Sequence, residues 1–271
     1  MKPPINDLFV AKSPVITLTS DLGLTDFYLA AAKGAIMTAI PDSIIVDVSH
    51  ENPKFDIMSA AFNLRNAYQY FPEGTIHIIS VNAIEDEDTP HIVFEHKGHF
   101  FIGADNGIFS LIFDDTPEQT FQIGSVNKIQ IPTFPLMNAF VYAAALLAKG
   151  NKPESMGRPN GGFRKMLMPS ASIGENLLRG SVIYVDSYGN LITNISRKLF
   201  EEVGKGRSFQ IDLRMNKHNV KKIKNTYNES SDGEPMALFN HLELLEISIA
   251  KGSATKLLGL KVTDSLRIEF E

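Results

Sequence analysis

The stretch Ile16-Thr-Leu-Thr-Ser-Asp-Leu-Gly-Leu-Thr-Asp-Phe-Tyr28 decides the fold class, because a β-branched run ends in an aspartate and a glycine turn before a helical pattern begins. In an α/β protein the carboxyl end of the first strand faces the ligand crevice, so we expect Asp21 and Asp26 there. The turn lacks the G-x-G-x-x-G spacing that binds a pyrophosphate. An aspartate that accepts both hydroxyls of a ribose is the favoured interpretation. The alternative is that the aspartate, Asp26 above all, merely caps the next helix.

The rest of the first half alternates between strand and helix patterns. Residues 16–20, 43–49 and 75–81 predict strands, and residues 27–40 and 55–71 predict helices. This β-α-β-α-β order predicts an α/β domain with a mainly parallel central sheet and right-handed crossovers. The near-continuous apolar run at 43–49 is typical of a strand that is buried on both faces.

The pattern changes after the third strand. Residues 91–96 and 99–103 predict a hairpin around Lys97-Gly98, and residues 108–113 predict a short helix. An alanine- and leucine-rich helix is expected over 134–149, with Gly150 as its stop signal.

Prolines and glycines then mark residues 151–176 as loop-like, and mostly β patterns follow. Strands are expected at 178–185, 208–213, 246–249 and 265–271, with a short helix over 197–203. The basic run 217–224 is interpreted as a solvated hairpin or loop. We therefore predict an α/β domain over 1–160, a linker over 161–176, and a smaller all-β domain over 177–271.

Composition excludes several classes of function. The 271 residues include no cysteine, which excludes disulfides and thiolate chemistry, and the net charge of −5 argues against a nucleic-acid partner. There is no His-x-x-x-His metal pattern, no Gly-x-Ser-x-Gly elbow and no Walker loop. We expect no metal and no membrane segment. Residues 1–14 lack an apolar run of signal-peptide length, so a cytoplasmic protein is expected.

A second polar cluster, Asp186-Ser-Tyr-Gly-Asn190, ends a predicted strand in the second half. It combines a carboxylate, an aromatic ring and a carboxamide, which together can bind a heterocyclic ligand. The same residues are also common turn formers. The residues alone leave both interpretations open.

In combination, several short motifs resemble the S-adenosyl-L-methionine hydroxide adenosyltransferase family, which is related to the fluorinases and chlorinases. The resemblance covers nearly the whole chain. The matching motifs are Thr19-Ser-Asp-Leu-Gly-Leu-Thr-Asp26, Lys33-Gly34, Ile45-Val-Asp-Val-Ser-His50, Phe71-Pro-Glu-Gly-Thr75, Asp105-Asn-Gly107, Pro132-Thr-Phe134, Tyr184-Val-Asp-Ser-Tyr-Gly-Asn-Leu-Ile-Thr-Asn194, Leu245-Glu-Ile247 and Lys251-Gly-Ser-Ala254.

This resemblance implies a barrel-like C-terminal domain and a homotrimer whose ligand lies between subunits. The ligand would be a small adenosyl compound, with S-adenosyl-L-methionine as substrate and no further cofactor. In the first half, the resemblance implies that Asp21 binds the ribose diol, with Asp26 in the same ligand-binding turn, and that Phe55 stacks on the adenine. Thr133 and Phe134 would form a wall near the reacting carbon. In the second half, Asp186 would bind the methionine ammonium, and Tyr188 and Asn190 would contact the base and the ribose.

The implied reaction is attack of water or hydroxide on the ribose C5′, which gives adenosine and L-methionine. The chain departs from the hydrolases of the family where the nucleophile is prepared. Asn82 falls where an aspartate is expected, and Phe134-Pro-Leu-Met-Asn138 replaces Phe-His-Gly-Arg-Asp. An asparagine can orient a water but cannot act as a general base. We therefore predict Asn82 and His91 as the catalytic residues, with Glu85 and Asp86 in the same altered loop.

These departures also support an alternative from a different class. The protein could be a non-catalytic or redirected-substrate adenosine or S-adenosylmethionine binding protein on the same scaffold. The region expected to bind the methionine carboxylate reads Asn240-His241-Leu242, without the expected serine and arginine.

Overall fold

The computed structural model describes residues 13–124, 133–167, 170–213 and 219–271. The chain divides into two compact units, residues 1–166 and 167–271. The predicted domain limits at 160 and 177 stay predictions. Residues 1–12 of the amino-terminal stretch, Pro132 of the family motifs and residues 217–218 of the basic run lie outside the described residues.

The first unit contains one mixed sheet with helices on both of its faces. Its described strands run in the spatial order β2-β1-β3-β5-β4-β6-β7. The bounds are β1 (Val15–Ser20), α1 (Tyr28–Ala39), β2 (Ile44–Ser49), α2 (Ile57–Ala67), β3 (Ile76–Ser80), β4 (His91–His96), β5 (His99–Ala104), α3 (Ile108–Ile112), β6 (Thr120–Gln122), α4 (Ala139–Ala148) and β7 (Pro159–Gly161).

Only half of this sheet is parallel, so the prediction of a mainly parallel sheet was wrong in its extent. The β2–β1, β1–β3 and β3–β5 pairs are parallel, and the β5–β4, β4–β6 and β6–β7 pairs are antiparallel. The predicted hairpin is confirmed, with φ of 50° at Lys97 and 77° at Gly98 in its two-residue turn. A turn this short joins antiparallel strands only, so the parallel arrangement ends there.

The two crossover helices lie on opposite faces of the sheet. Leu29 and Ile36 of α1 pack with α4 in one apolar cluster, whereas Ala61 and Leu64 of α2 pack with α3 in another. The chain leaves β1 toward β2 on one side and returns to β3 on the other. A doubly wound sheet binds ligands outside the carboxyl ends of its strands, where the strand order reverses. In this unit that point lies between the ends of β1 and β3.

The second strand is not buried on both faces as its apolar run predicted. In the described sheet β2 pairs only with β1, because the crossover through α2 continues to the far side of β1. Ile44 is therefore 49% exposed, and Asp47 in the middle of the strand is exposed as well.

The helix predicted over 134–149 is interrupted. Pro135–Met137 form a 3-10 turn, and α4 begins only at Ala139, after Asn138 with φ of −115° and ψ of −93°. A residue before proline disfavours helical backbone, which explains why Phe134 stays outside the helix. Gly150 follows the helix with φ of 84°, as its stop-signal role requires.

The second unit is built mainly from strands, in the described order β11-β15-β9-β10-β14-β13-β12, with β8 paired to β9. Only the β12–β13 pair is parallel among these described strands. Its bounds are β8 (Ser172–Ile173), β9 (Leu177–Val185), β10 (Leu191–Ser196), α5 (Arg197–Gly204), β11 (Phe209–Asp212), β12 (Ile223–Lys224), β13 (Pro235–Phe239), β14 (Leu244–Ile249), α6 (Ala254–Leu258) and β15 (Ser265–Phe270).

The second unit departs from the sequence predictions in one respect and leaves a second prediction open. Two short α-helices accompany the strands among its described residues, so the unit is not all-β: α5 was predicted and α6 was not. Within the part that the structure describes, no ladder joins the outer strands β11 and β12. The barrel-like arrangement therefore stays a prediction. No helix of the described ranges is long and apolar enough to cross a membrane.

Candidate functional site

Asp21 lies at the carboxyl end of β1, half-buried, in the turn that follows the strand. The backbone N–H of Phe55 donates to Asp21 Oδ2 at 2.7 Å, and the Lys54 ammonium donates to the Asp21 main-chain carbonyl. The segment before α2 is thus joined directly to the turn after β1. The structure brings together Asp21 and Phe55, two of the predicted ligand-binding residues that lie 34 positions apart.

Further hydrogen bonds fix the same turn. The Gly23 N–H donates to the carbonyl of His50 at 2.9 Å, and the Asn52 amide donates to the carbonyl of Ser20 at 2.7 Å. The His50 ring lies 2.7 Å from the Ser20 hydroxyl through Nδ1. His50 and Asn52 are buried, at 4% exposure each. The Asp21 carboxylate is therefore presented by a rigid turn, which favours binding because little order remains to be imposed.

A series of contacting polar side chains leads from this turn to the edge strand β2. His50 Nε2 lies 3.1 Å from Asp47 Oδ1, and Lys33 Nζ lies 2.6 Å from Asp47 Oδ2. Burial alone would raise the pKa of Asp47, but the contacts with Lys33 and His50 outweigh it and lower the pKa. The side chain that orients His50 is thus a carboxylate that stays ionised.

Phe55 is 72% exposed and has φ of 65°. Positive φ in a bulky residue is unusual, and it costs about 1–3 kcal/mol unless the surroundings impose it. Here the hydrogen bond from Phe55 N to Asp21 imposes it. An exposed aromatic ring held in a strained conformation beside a carboxylate has the features expected of a ligand platform.

Asp26 is exposed, and it does not cap the following helix in the structure. Within the described chain α1 begins after Phe27 with no side-chain capping hydrogen bond. The capping alternative for Asp26 is therefore wrong, whereas its predicted role in ligand binding stays a prediction. Leu24 and Phe27, at 65% and 71% exposure, give this turn an apolar surface beside Asp26.

Asn82 follows β3, which runs parallel to β1, so Asn82 and Asp21 both lie at the carboxyl ends of their strands, on either side of the switch point. It is exposed and has φ of 44°. Its main-chain carbonyl accepts a hydrogen bond from the Asn106 amide at 2.9 Å. The position of Asn82 suits a side chain that contacts a ligand in the crevice.

His91 is 4% exposed, and one of its nitrogens already has a partner. Nε2 lies 2.8 Å from the carbonyl of Ala83, so this nitrogen carries the proton, and the ring packs edge-on against Phe140 at 4.8 Å. Nδ1 faces Glu85, whose Oε2 is 3.9 Å away. His91 therefore holds its own loop through one nitrogen and has the other directed toward a carboxylate.

The predicted wall residues lie in the short segment before α4. Thr133 is exposed, and the half-buried Phe134 ring meets Tyr28 edge-on at 5.5 Å between centroids. Phe134 thus lies against the first turn of α1, which follows the Asp26 turn. That Thr133 and Phe134 lie near a reacting carbon stays a prediction.

Sequence reasoning did not identify Lys54 and Asn52, because neither belongs to a motif with its own chemical signature. It also passed over the chemistry of Asp105, which is 7% exposed at the end of β5. The Arg164 N–H at 2.7 Å and the Asn160 amide at 3.3 Å donate to the Asp105 carboxyl. Burial raises the pKa of Asp105 despite these donors.

In the second unit the Asp186 carboxylate organises its own turn. Oδ1 accepts from the N–H groups of Tyr188 and Asn190 at 3.0 and 2.9 Å, and Oδ2 accepts from the Asn190 amide at 2.9 Å. The turn-forming interpretation of this cluster is thus present in the structure. Tyr188 remains 78% exposed, so its ring is the member of the cluster best placed to meet a ligand.

Gly189 is required by this turn for two separate reasons. It has φ of 85°, and a Cβ at this position would lie 2.1 Å from Ser253 Oγ. Gly206 offers a matched control, because it has φ of 76° and no heavy atom of the described chain within 4 Å of such a Cβ. We expect Gly189→Ala to lower the free energy of unfolding by about 1–3 kcal/mol more than Gly206→Ala, owing to overpacking. Chemical denaturation of both variants tests this, and equal losses would contradict the steric argument.

A buried glutamate lies beside this turn and was not predicted. Glu246 of β14 is 2% exposed and pairs in register with Ile192 of β10. It accepts hydrogen bonds from Tyr227 Oη at 2.9 Å, Ser248 Oγ at 2.7 Å and Asn240 Nδ2 at 3.2 Å. Burial and the bond to Glu246 raise the pKa of Tyr227, so its phenol stays protonated. The Asn240 amide therefore already donates a hydrogen bond within the protein.

No group of three or more histidine and carboxylate side chains in the described part of the chain could hold a metal ion. What the described residues offer are two separate polar clusters with exposed aromatic rings: Asp21 with Phe55 in the first unit, and Asp186 with Tyr188 in the second.

Comparisons with known proteins identify the family. The sequence model of the SAM hydroxide adenosyltransferase N-terminal domain matches residues 16–157, and that of the C-terminal domain matches residues 180–267. The chain therefore belongs to the SAM hydroxide adenosyltransferase family, and the resemblance found in its motifs is confirmed.

Relatives include an enzyme named (R)-S-adenosyl-L-methionine hydrolase from Thermus thermophilus, with 31% identity over 89% of this chain and 94% of that protein. A protein named fluorinase from Actinoplanes is 24% identical over 74% of this chain and 78% of that protein. The crystal structure of an uncharacterized conserved protein from Thermotoga maritima superposes with a TM-score of 0.82 at 22% identity, covering 94% and 99% of the two chains. That likeness shows the fold alone.

Proposed function

We propose that this protein hydrolyses S-adenosyl-L-methionine to adenosine and L-methionine. The observation that carries the proposal is the Asp21–Phe55 unit at the switch point of the first sheet. It offers a carboxylate for a ribose diol and an exposed ring for a purine, and the main-chain N–H of Phe55 donates a hydrogen bond to that carboxylate. Family membership and the relatives named as hydrolases support the choice of reaction.

The chemistry asks for little beyond positioning. The water oxygen forms a bond to C5′, the C5′–S bond breaks with its electron pair going to sulfur, and the water loses one proton. The sulfonium is a good leaving group whose charge disappears in the reaction, so an environment that excludes bulk water favours it. Holding the water in line with the C5′–S bond supplies most of the remaining acceleration.

Asn82 is the proposed group that orients this water, because its exposed carboxamide lies at the carboxyl edge of the sheet near the Asp21 strand. For His91 we propose that Nδ1, the ring nitrogen not bonded to Ala83, accepts the proton, with Glu85 stabilising the resulting imidazolium. Lost general-base help typically lowers a rate by about 10²–10⁴-fold, so His91→Gln should retain binding and lose turnover. Unchanged turnover in His91→Gln would remove His91 from the mechanism.

The test is incubation of the purified protein with S-adenosyl-L-methionine in ¹⁸O-labelled water, followed by chromatography and mass spectrometry. We expect methionine and adenosine that carries ¹⁸O at its 5′-hydroxyl. Activity should disappear in Asp21→Ala, which excludes a contaminating enzyme. Adenosine without the label, or activity that is independent of Asp21, would contradict the proposal.

A second candidate is a non-catalytic or redirected-substrate adenosyl-binding protein, and the asparagine at position 82 favours it. The same incubation separates the two. Thermal stabilisation by adenosine or S-adenosyl-L-methionine without any product would support the binding protein. Neither stabilisation nor product would contradict both candidates.

The Phe55 ring gives a prediction that separates ligand stacking from backbone strain. Phe55→Gly and Phe55→Ala both remove the ring, and stacking on a base is worth about 1–3 kcal/mol, so both should lose adenosine affinity. The φ of 65° is strained for alanine and free for glycine. We therefore expect Phe55→Gly to have the higher melting temperature of the two, measured by calorimetry. A higher value for Phe55→Ala would show that Asp21 does not impose strain here.

Other expectations belong to the same proposal. The homotrimer with intersubunit sites and the cytoplasmic location stay predictions, as do the absence of a cofactor or metal and of a nucleic-acid or membrane partner. Sedimentation equilibrium tests the trimer, and a monomeric mass would contradict it.

A further inference from the structure

The side chain of Asn106 connects the end of β3 to the beginning of α3. Its amide nitrogen donates to two successive carbonyls, Val81 O at 3.0 Å and Asn82 O at 2.9 Å, and its Oδ1 accepts from the N–H of Ile108 at 3.2 Å. Ile108 is 1% exposed in the apolar core of the first unit. Asn106 thus ties the loop after β3 to a fixed support.

The loop turns sharply at Asn82, which has φ of 44°. Asparagine enters this left-handed region more readily than most residues, and hydrogen bonds to the carbonyls on either side select it here. Both Asn106 bonds converge on the two carbonyls around this residue. The next carbonyl, Ala83 O, is bonded to His91 Nε2 at 2.8 Å. Three consecutive carbonyls are therefore held by side chains, two by Asn106 from outside the loop and one by His91 at its end.

The position of Asn106 is itself well defined. Gly107 follows it with φ of 100°, and a Cβ there would lie 2.5 Å from Met166 Cγ. Only glycine fits this turn without displacing a neighbour, and the turn directs the Asn106 amide toward β3. The amide is therefore placed by the backbone rather than by adjustment of a flexible side chain.

We infer that Asn106 is a positioning residue. Its amide fixes the backbone at Asn82 and thereby the direction in which the Asn82 carboxamide enters the crevice. The catalytic part of this inference rests on the proposed function, in which Asn82 orients the attacking water. The conformational part does not, because it concerns the loop 81–91 in the free protein.

The decisive variant is Asn106→Asp, which keeps the size and an oxygen for Ile108 N but places a carboxylate oxygen against two carbonyls. Asn151→Asp is the matched control, because the Asn151 amide also donates to a main-chain carbonyl, Leu146 O at 3.0 Å, at the end of α4. Amide hydrogen exchange of the free proteins should become at least about 10-fold faster over 81–91 in Asn106→Asp. Exchange over 14–24 and 50–60 should stay unchanged in Asn106→Asp. In Asn151→Asp, exchange over 81–91 should stay as slow as in the native protein.

The kinetic readout distinguishes positioning from a general loss of structure. In Asn106→Asp we expect kcat for S-adenosyl-L-methionine to fall about 10–100-fold with KM changed less than about 3-fold, because Asp21 and Phe55 are untouched. Unchanged exchange over 81–91, unchanged kcat, or equal effects on kcat and KM would overturn the inference. If Asn106→Asp does not fold, Asn106→Ala removes the same donor without adding a charge. If the native protein makes no adenosine, the proposed function fails, and exchange over 81–91 still decides whether Asn106 holds the loop.

Discussion

Lowering the pH from 7 to 5 is expected to remove about 2 kcal/mol of unfolding free energy from the first unit through a single side chain, His77. His77 lies in β3 with no exposed surface among the described residues. Its Nδ1 is 2.7 Å from Thr17 Oγ1, and its Nε2 is 3.2 Å from Nδ1 of His99, which is also buried. Phe101 stacks on the ring at 4.9 Å.

Burial in this environment, reinforced by the neighbouring His99, lowers the pKa of His77 to about 3 from its ordinary value of 6.5. The folded protein therefore keeps His77 neutral while the unfolded chain takes up a proton below about pH 6.5. The stabilising contribution is complete above that pH and is lost as the pH falls toward 3. The gap between the two pKa values corresponds to about 5 kcal/mol in all.

His77→Gln tests this prediction, because glutamine can hydrogen-bond but does not titrate. Urea unfolding followed by circular dichroism at pH 7 and pH 5 should show a smaller acid loss in His77→Gln than in the native protein. The exposed His241 gives the control variant His241→Gln, which should keep the native pH dependence. If the His77 variant is too unstable, imidazole ¹⁵N shifts of the native protein serve instead. Titration of His77 above pH 5 would contradict the prediction.

Replacing Asp21 by asparagine is expected to weaken adenosine binding by about 10²–10⁴-fold. Hydrogen bonds to a charged group contribute about 1.5–3 kcal/mol each, and the proposed ribose diol would make two of them. The carboxamide in Asp21→Asn keeps an oxygen that can accept the Phe55 N–H, so the strained backbone and the ring stay in place. Isothermal titration calorimetry measures the affinity directly.

The ligand provides the internal control for Asp21. 2′,3′-Dideoxyadenosine lacks the diol, so the native protein and Asp21→Asn should bind it with equal affinity. Asp42 is exposed and precedes β2, so it lies at the amino end of a strand, away from the carboxyl end where Asp21 lies. It gives the control variant Asp42→Asn, which should bind adenosine normally. A large loss of dideoxyadenosine affinity in Asp21→Asn would show that the carboxylate supports the fold of the turn rather than the diol.

The sequence predicted the first unit better than the second for a physical reason. In the first βαβ units, each strand is followed by a helix long enough to show its periodicity, as in α1 and α2. The strands β10 and β13 were missed, because β10 follows a turn motif directly and β13 begins with Pro235. Both strands pair with a strand that is adjacent in the chain, β10 with β9 and β13 with β14. Short strands of this kind are stabilised by side-chain packing across the pair, and the pattern of a single strand does not show that packing.

In the candidate site, local sequence patterns predicted the position of a residue, but they did not predict its contacts with residues far away in the chain. The β-branched run before Asp21 identified the carboxyl end of a strand, and the structure places Asp21 there. The hydrogen bond from Phe55 to Asp21 could not be predicted, because it depends on a positive φ in a phenylalanine. The partner of Asn82 was equally hidden. Asn106 lies 24 positions away and gives no sign in the sequence that its amide points toward β3.

The bonds that hold the Asp21 turn have a consequence for the order of assembly during synthesis. They join Ser20 to His50, Ser20 to Asn52 and Asp21 to Phe55, over separations of 30, 32 and 34 residues. Closing these loops costs less entropy than pairing residues from opposite ends of the chain would, and the amino-terminal part of a growing chain leaves the ribosome first. The carboxylate and the aromatic ring can therefore meet while most of the polypeptide, including the whole second unit, has yet to be translated.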